Sequence, residues 1–115
     1  MTNDDPTVSN PDHYRVLFEN EHVRVLDYTD VPGDLTTPHL HPNSVMVTLT
    51  DFKRRLITPA GDRHVELTAN QAVWLPAQRH AGENTGSTPT HNILVELKGA
   101  AAGSSDGDSL GPDVG

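Results

Sequence analysis

His39 and His41 are separated by one residue, and on an extended strand side chains two apart point to the same face, so both imidazoles would stand close together. That geometry chelates a metal ion; two surface histidines that happen to lie at i and i+2 are the plain alternative. The chain has seven histidines and no cysteine, so a transition metal must be held by imidazole or carboxylate, and neither a thiolate site nor a disulfide framework can form. In the run 91–98, His91 shares its parity with Ile93, Val95 and Leu97, while Asn92, Glu96 and Lys98 take the other. Period-two reading sets His91 on the inward face, as a direct ligand, a partner to one, a substrate-facing acid–base group, or a rim histidine bonded to a backbone carbonyl. His13, His22 and His64 read as an entry segment, a turn and a solvent-facing edge.

The elements that must carry these histidines are short. Apolar residues come in bursts separated by turn signals, and no stretch keeps a 3.6-residue rhythm long enough for a helix of three turns. The expected strands are 14–18, 23–31, 35–41, 45–50, 52–58, 63–67, 72–75, 80–83 and 91–98. Val31-Pro32-Gly33-Asp34 and Pro59-Ala60-Gly61-Asp62 are turn sequences, since proline fixes φ and glycine permits φ > 0. So many short strands predict an all-β sandwich, jelly roll or barrel. In 52–56, Phe52 and Arg54 share a face opposite Lys53 and Arg55; such charges usually solvate a strand, but Arg54 reaching a pocket would orient a carboxylate. Trp74, the single tryptophan, is either a pocket wall or an anchor in a core or interface.

At 115 residues the chain holds one domain. The formal charge of −8 is concentrated at the ends: residues 1–12 and 99–115 carry three acids each and no base, leaving ten acids against eight bases in 13–98. A nearly neutral centre offers no basic face for nucleic acid. No apolar run approaches membrane-spanning length and the first residues are acidic, so a cytoplasmic protein is expected. Segment 99–115 is rich in Gly, Ser and Asp and should be mobile, as should 1–12, placing the folded unit at 13–98.

Gly33-x5-His39-x-His41, followed by Val73-Trp74-Leu75-Pro76-Ala77 and Pro76-x-Gln78-x-His80-x3-Asn84, resembles the two motifs of the cupin superfamily, and the resemblance runs from Arg24 to Lys98. It implies a double-stranded β-helix (jelly-roll) barrel with one metal ion at its centre, held by His39, His41 and His80. Two departures stand out. The family's first motif places a glutamate after three or four intervening residues, where this chain has Val45 and Met46; neither is a ligand for a hard divalent ion, so they are expected to line the substrate side. Family glycines are replaced by Asn70 and Gln78, and Asn tolerates the left-handed region better than Gln. Glu83, three residues past His80, falls on the opposite face unless the strand bulges.

Three neutral imidazoles leave the charge of a divalent ion uncompensated, so such a site favours anionic ligands. Iron(II) accepts six ligands and would keep three positions for a chelating substrate and dioxygen, whereas zinc would hold a water whose pKa falls toward ~7. Manganese, nickel, cobalt and copper also accept imidazole. Glutamate-lacking cupins include three-histidine iron dioxygenases of thiols and diketones, and this resemblance implies a non-heme iron dioxygenase of a small chelating molecule. A non-oxidative lyase, isomerase or hydrolase using His91 as acid–base group, and a non-catalytic ligand-binding or metal-sensing protein, stay open. Small cupins commonly dimerise, and 14–18 is the expected contact strand of a homodimer.

Overall fold

The structure is a computed structural model that describes residues 4–103. Nine strands follow a helical turn α1 (Pro6–Ser9): β1 (Tyr14–Glu19), β2 (Val23–Asp30), β3 (His39–His41), β4 (Ser44–Thr48), β5 (Phe52–Thr58), β6 (Gly61–Leu67), β7 (Ala72–Leu75), β8 (Gln78–Asn84) and β9 (Thr90–Leu97). They pair antiparallel in two sheets, ordered β1-β2-β9-β4-β7 and β3-β8-β5-β6. The expected all-β architecture is present, as a double-stranded β-helix.

Some expected elements differ. The strand expected over 35–41 is reduced to His39–His41, because Pro38 and Pro42 flank it and neither can donate to a ladder. Leu35 contributes only a bridge to Glu83, and Thr36 N–H reaches Gly82 O at 2.9 Å. Residues 4–12, expected to be mobile, instead pack on the barrel: Asp5 caps α1 through Thr7 and pairs with Arg24 at 2.8 Å, and Asp4 pairs with Arg79 at 2.7 Å. The tail folds into a 3-10 turn over Gly99–Ala102, and residues 104–115 of the expected mobile segment lie outside the described residues. The 31–34 turn closes with Asp34 N–H on Val31 O at 3.0 Å and Gly33 at φ +92, and Asn70 sits at φ +65, the left-handed conformation its short polar side chain tolerates.

Leu26, Met46, Val73, Leu75 and Leu94 from one sheet meet Phe52, Leu56, Val65 and Leu67 from the other to form the apolar core. Each such side chain contributes about 1.5–3 kcal/mol when fully buried. A second, ionic link joins the sheets. Asp30 of β2 accepts from Arg54 Nη1 of β5 at 3.0 Å, from Asn84 Nδ2 of β8 at 2.9 Å and from the Tyr28 hydroxyl, while Arg54 Nη2 donates to Tyr28 at 3.0 Å. The guanidinium passes β8 at Gly82, where an added Cβ would stand 2.3 Å from Nη2.

Asp30→Ala leaves this buried guanidinium without its counter-charge and should lower the unfolding free energy obtained from denaturant titration by about 3–5 kcal/mol. Asp62→Ala, which breaks only the exposed pair with Arg55, should stay within about 0.5 kcal/mol. Equal small losses would show that the ionic link does not hold the sheets together.

Candidate metal centre

In an antiparallel pair, residues directly opposite each other point to the same face. The β3–β8 register sets His39 opposite His80 and His41 opposite Gln78, so one three-residue strand and its partner direct all four side chains inward. The three imidazoles form a nearly equilateral triangle with ring centroids 4.9–5.0 Å apart, all three residues are buried, and one nitrogen from each lies within 4.8 Å of the others.

The other nitrogen of each ring is anchored. Nδ1 of His39 lies 2.7 Å from Thr37 O, Nδ1 of His41 lies 3.0 Å from Glu96 Oε2, and Nδ1 of His80 lies 2.6 Å from Gln78 Oε1. A carbonyl or carboxylate oxygen only accepts, so each Nδ1 must carry a proton, and in the neutral ring each Nε2 is then the lone pair. Such anchoring fixes the tautomer and orientation of a metal-binding histidine. The Asn10 amide at 3.2 Å from His39 Nδ1 also reaches Thr37 O at 3.1 Å, consistent with that carbonyl being the shared acceptor. Burial, reinforced by His41, pushes His39 down to about 3, and burial together with His41 and His39 holds His80 well below its usual value. These two rings are therefore neutral near pH 7, as ligands must be. Three converging imidazole lone pairs in a closed interior fit a divalent transition-metal ion and suit no alkali or alkaline-earth ion.

The other residues singled out in the sequence separate into two groups. Arg54 and Met46 line an interior cavity of ≈ 40 Å³ beside His41 and His80. That volume takes about three water molecules. Val45 and Trp74 do not reach it: β4 alternation turns Val45 outward, where it stands in register with Trp74 on one side and Val95 on the other. The inward placement of His91 is also corrected. Thr90, Asn92, Leu94 and Glu96 are the buried set of β9, and His91 lies on the outer face, bonded to Asp27 at 2.6 Å. The apolar parity of β9 faces out because this sheet carries a second apolar surface, the row Phe18, Val25, Val95, Val45 and Trp74. Glu83 is spent on Arg55 at 3.0 Å and does not approach the triad.

Four residues at the site went unread. Gln78, in place of a family glycine, orients His80. Glu96 braces His41 and is itself held by Arg24 Nε at 2.8 Å. Asn92 lines the cavity and its Oδ1 is buried without a hydrogen-bond partner. Tyr14, expected in a contact strand, turns inward from the start of β1; its ring packs on His39, His41 and Tyr28, while Val16, Leu17 and Phe18 stay exposed. The shared parity of Gln78 with His80 was the available signal; the unbroken Ile93-Leu94-Val95 run concealed that of Glu96.

The sign of the histidine shifts predicts acid sensitivity. Below 6.5 the unfolded chain takes up protons that the folded metal-free chain refuses until about 3, so stability is full above 6.5 and falls as pH drops through that window. Each such histidine adds a slope of at most about 1.4 kcal/mol per pH unit. Urea midpoints measured between about pH 7 and pH 5 should fall in the native chain and flatten in a His39→Gln/His80→Gln variant; parallel slopes would refute the burial of neutral rings.

No family model matches the chain. A segment of 63 residues, 54% of the chain, is 41% identical to the β-alanine degradation protein BauB of Pseudomonas aeruginosa, and covers 66% of that protein's length. The fold superposes on a cupin domain from Bordetella pertussis with a TM-score of 0.70 at 28% identity, covering 75% of this chain and 92% of that one. A Cupin 2 conserved barrel domain protein from Salinispora arenicola matches with a TM-score of 0.56 at 19% identity, over 77% of each chain. The histidine triangle at the centre of two facing sheets and these likenesses agree: the chain belongs to the cupin superfamily.

Proposed function

We propose that this cupin holds one divalent metal ion on Nε2 of His39, His41 and His80 and acts on a small anionic or chelating molecule, its reaction being oxygen-dependent cleavage or oxidation. The observation that carries the reading is the set of three anchored Nδ1–H groups, which in the neutral rings leaves three Nε2 lone pairs on buried side chains whose ligand nitrogens lie within 4.8 Å of one another. When bound, ferrous iron would supply open positions for a chelating substrate and dioxygen, and zinc would supply a Lewis acid.

The chain's own residues restrict what enters. Met46, Leu75 and Leu94 give the cavity apolar walls, and its small volume leaves room for only the reacting end of a substrate. Arg54 lines the same space with its guanidinium fixed by Asp30 and Tyr28, which take two of its five N–H donors and keep the positive charge from swinging away. Asn92 Oδ1 offers an acceptor to a substrate hydroxyl or N–H. An uncompensated ion and a fixed arginine favour a small carboxylate, and the partial likeness to a protein named for degradation of β-alanine, itself a carboxylate, supports that class. The non-oxidative alternative loses its acid–base group, because His91 faces outward.

Elemental analysis should find one transition-metal ion per chain, lost in His39→Ala, His41→Ala and His80→Ala. Removing an anchor is milder: Gln78→Ala and Glu96→Gln should weaken metal binding by about 10- to 100-fold while leaving the fold intact. Unchanged affinity in both would mean that the anchors do not serve a metal. For the reaction, the iron(II)-loaded protein should consume oxygen with at least one member of a panel of small thiols, enolisable diketones and α-keto acids. No uptake with any of them would overturn the dioxygenase reading, and tight binding of one without turnover would favour a ligand-binding or sensing protein.

A further inference from the structure

The hydroxyl of Tyr14 lies 3.2 Å from Nε2 of His39 and 3.2 Å from Nε2 of His41. In the neutral state that coordination requires of both rings, hydrogen bonding alone does not account for both contacts. Each imidazole then carries its one proton on Nδ1, so both Nε2 atoms are acceptors, and a phenol has one hydrogen to give. Whichever ring receives it, the oxygen then faces the other ring's lone pair at the same distance. In a buried pocket two lone pairs set against each other repel, unless a cation lies between them.

The spacing is what a shared ion requires. Donor atoms about 2.1 Å from one metal stand about 3.0 Å apart at a right angle and about 3.4 Å apart at the tetrahedral angle. The two 3.2 Å separations fall between these limits. The oxygen is also held in place: Tyr14 is buried, and its ring is fixed by Tyr28 at 4.7 Å, His39 at 5.3 Å and His41 at 5.6 Å.

We propose that Tyr14 Oη is the fourth protein ligand of the metal, supplied by β1 in a chain whose buried β4 face, Ser44, Met46 and Thr48, carries no carboxylate. The inference rests on the three-histidine reading. On binding, the O–H bond breaks, its proton leaves to solvent and an O–metal bond forms, so the phenolate cancels one positive charge of the ion. The metal itself is neither oxidised nor reduced. One fewer position is then open to substrate than in a site of three imidazoles alone.

Phenolate ligation has a direct optical signature, because a phenolate bound to ferric or cupric ion gives an intense visible charge-transfer band that imidazole does not. The metal-free full chain is titrated with ferric iron and, separately, with copper(II). One ion per chain should bring up the band, with phenolate ring modes in resonance Raman spectra excited within it. Tyr14→Phe should keep the ring and the fold, lose the band, and bind zinc about tenfold or more weakly in competition with a chromophoric chelator; Tyr28→Phe should retain the band. A stoichiometric ion that is lost in His41→Ala but gives no band in the native chain would overturn the Tyr14 assignment and leave the histidine site standing. So would a band that persists in Tyr14→Phe. No ion bound to the native chain would overturn both readings. Should Tyr14→Phe fail to fold, the Raman spectrum of the native chain together with Tyr28→Phe decides the matter.

Discussion

Three imidazole lone pairs converging inside a narrow barrel are an unfavourable arrangement for a metal-free protein, and much of the surrounding structure serves to hold them there. Water would satisfy each nitrogen at the surface, and each ring could rotate to present N–H instead of a lone pair. Both escapes are closed. Burial keeps His39 and His80 neutral, and Thr37 O, Glu96 and Gln78 fix the proton of each ring on Nδ1. Structural stability is given up locally in order to preorganise a coordination set.

The stability that offsets this cost comes from elsewhere in the barrel. The apolar cluster around Leu26, Phe52, Leu56 and Leu94 occupies the space between the sheets. The Asp30, Arg54, Tyr28 and Asn84 group ties β2 of one sheet to β5 and β8 of the other. Its role is geometric as well as energetic. A buried ion pair is a weak source of net stability, but one that fails on losing either member holds the sheets in a single relative position. The triad needs that, since His41 is braced by Glu96 of the opposite sheet and Tyr14 reaches it from β1.

The legibility of the fold and site in the sequence follows the strength of each local signal. His39 and His41 could be placed on one face because strand alternation is strict, even though the strand expected over 35–41 ran through Pro38 and proved shorter. His80 was legible only through a motif, since its position opposite His39 is a matter of long-range register that no local pattern encodes. His91 and Glu96 were exchanged because alternation gives parity without direction. Ile93, Val95 and Leu97 suggest an inward face only if a sheet has one apolar side, and this sheet has two. Tyr14 was hidden in an apolar run whose later members, Val16, Leu17 and Phe18, do face out; the register shift between Val16 and Phe18 sits inside that run.

The position of the one buried glutamate gives the absence of a carboxylate from β4 its physical meaning. Glu96 has not vanished from the electrostatics of the site; it sits one imidazole away, accepting from His41 Nδ1 and neutralised on its other side by Arg24, which Asp5 also holds. A carboxylate in the coordination sphere would cancel a charge on the ion and occupy a position. Behind His41 it does neither: it makes the imidazole a stronger donor, and Arg24 absorbs its charge. Charge compensation for an ion held at the centre would then fall to an incoming anion or to the proposed Tyr14 oxygen, which lies 3.2 Å from Nε2 of His39 and of His41.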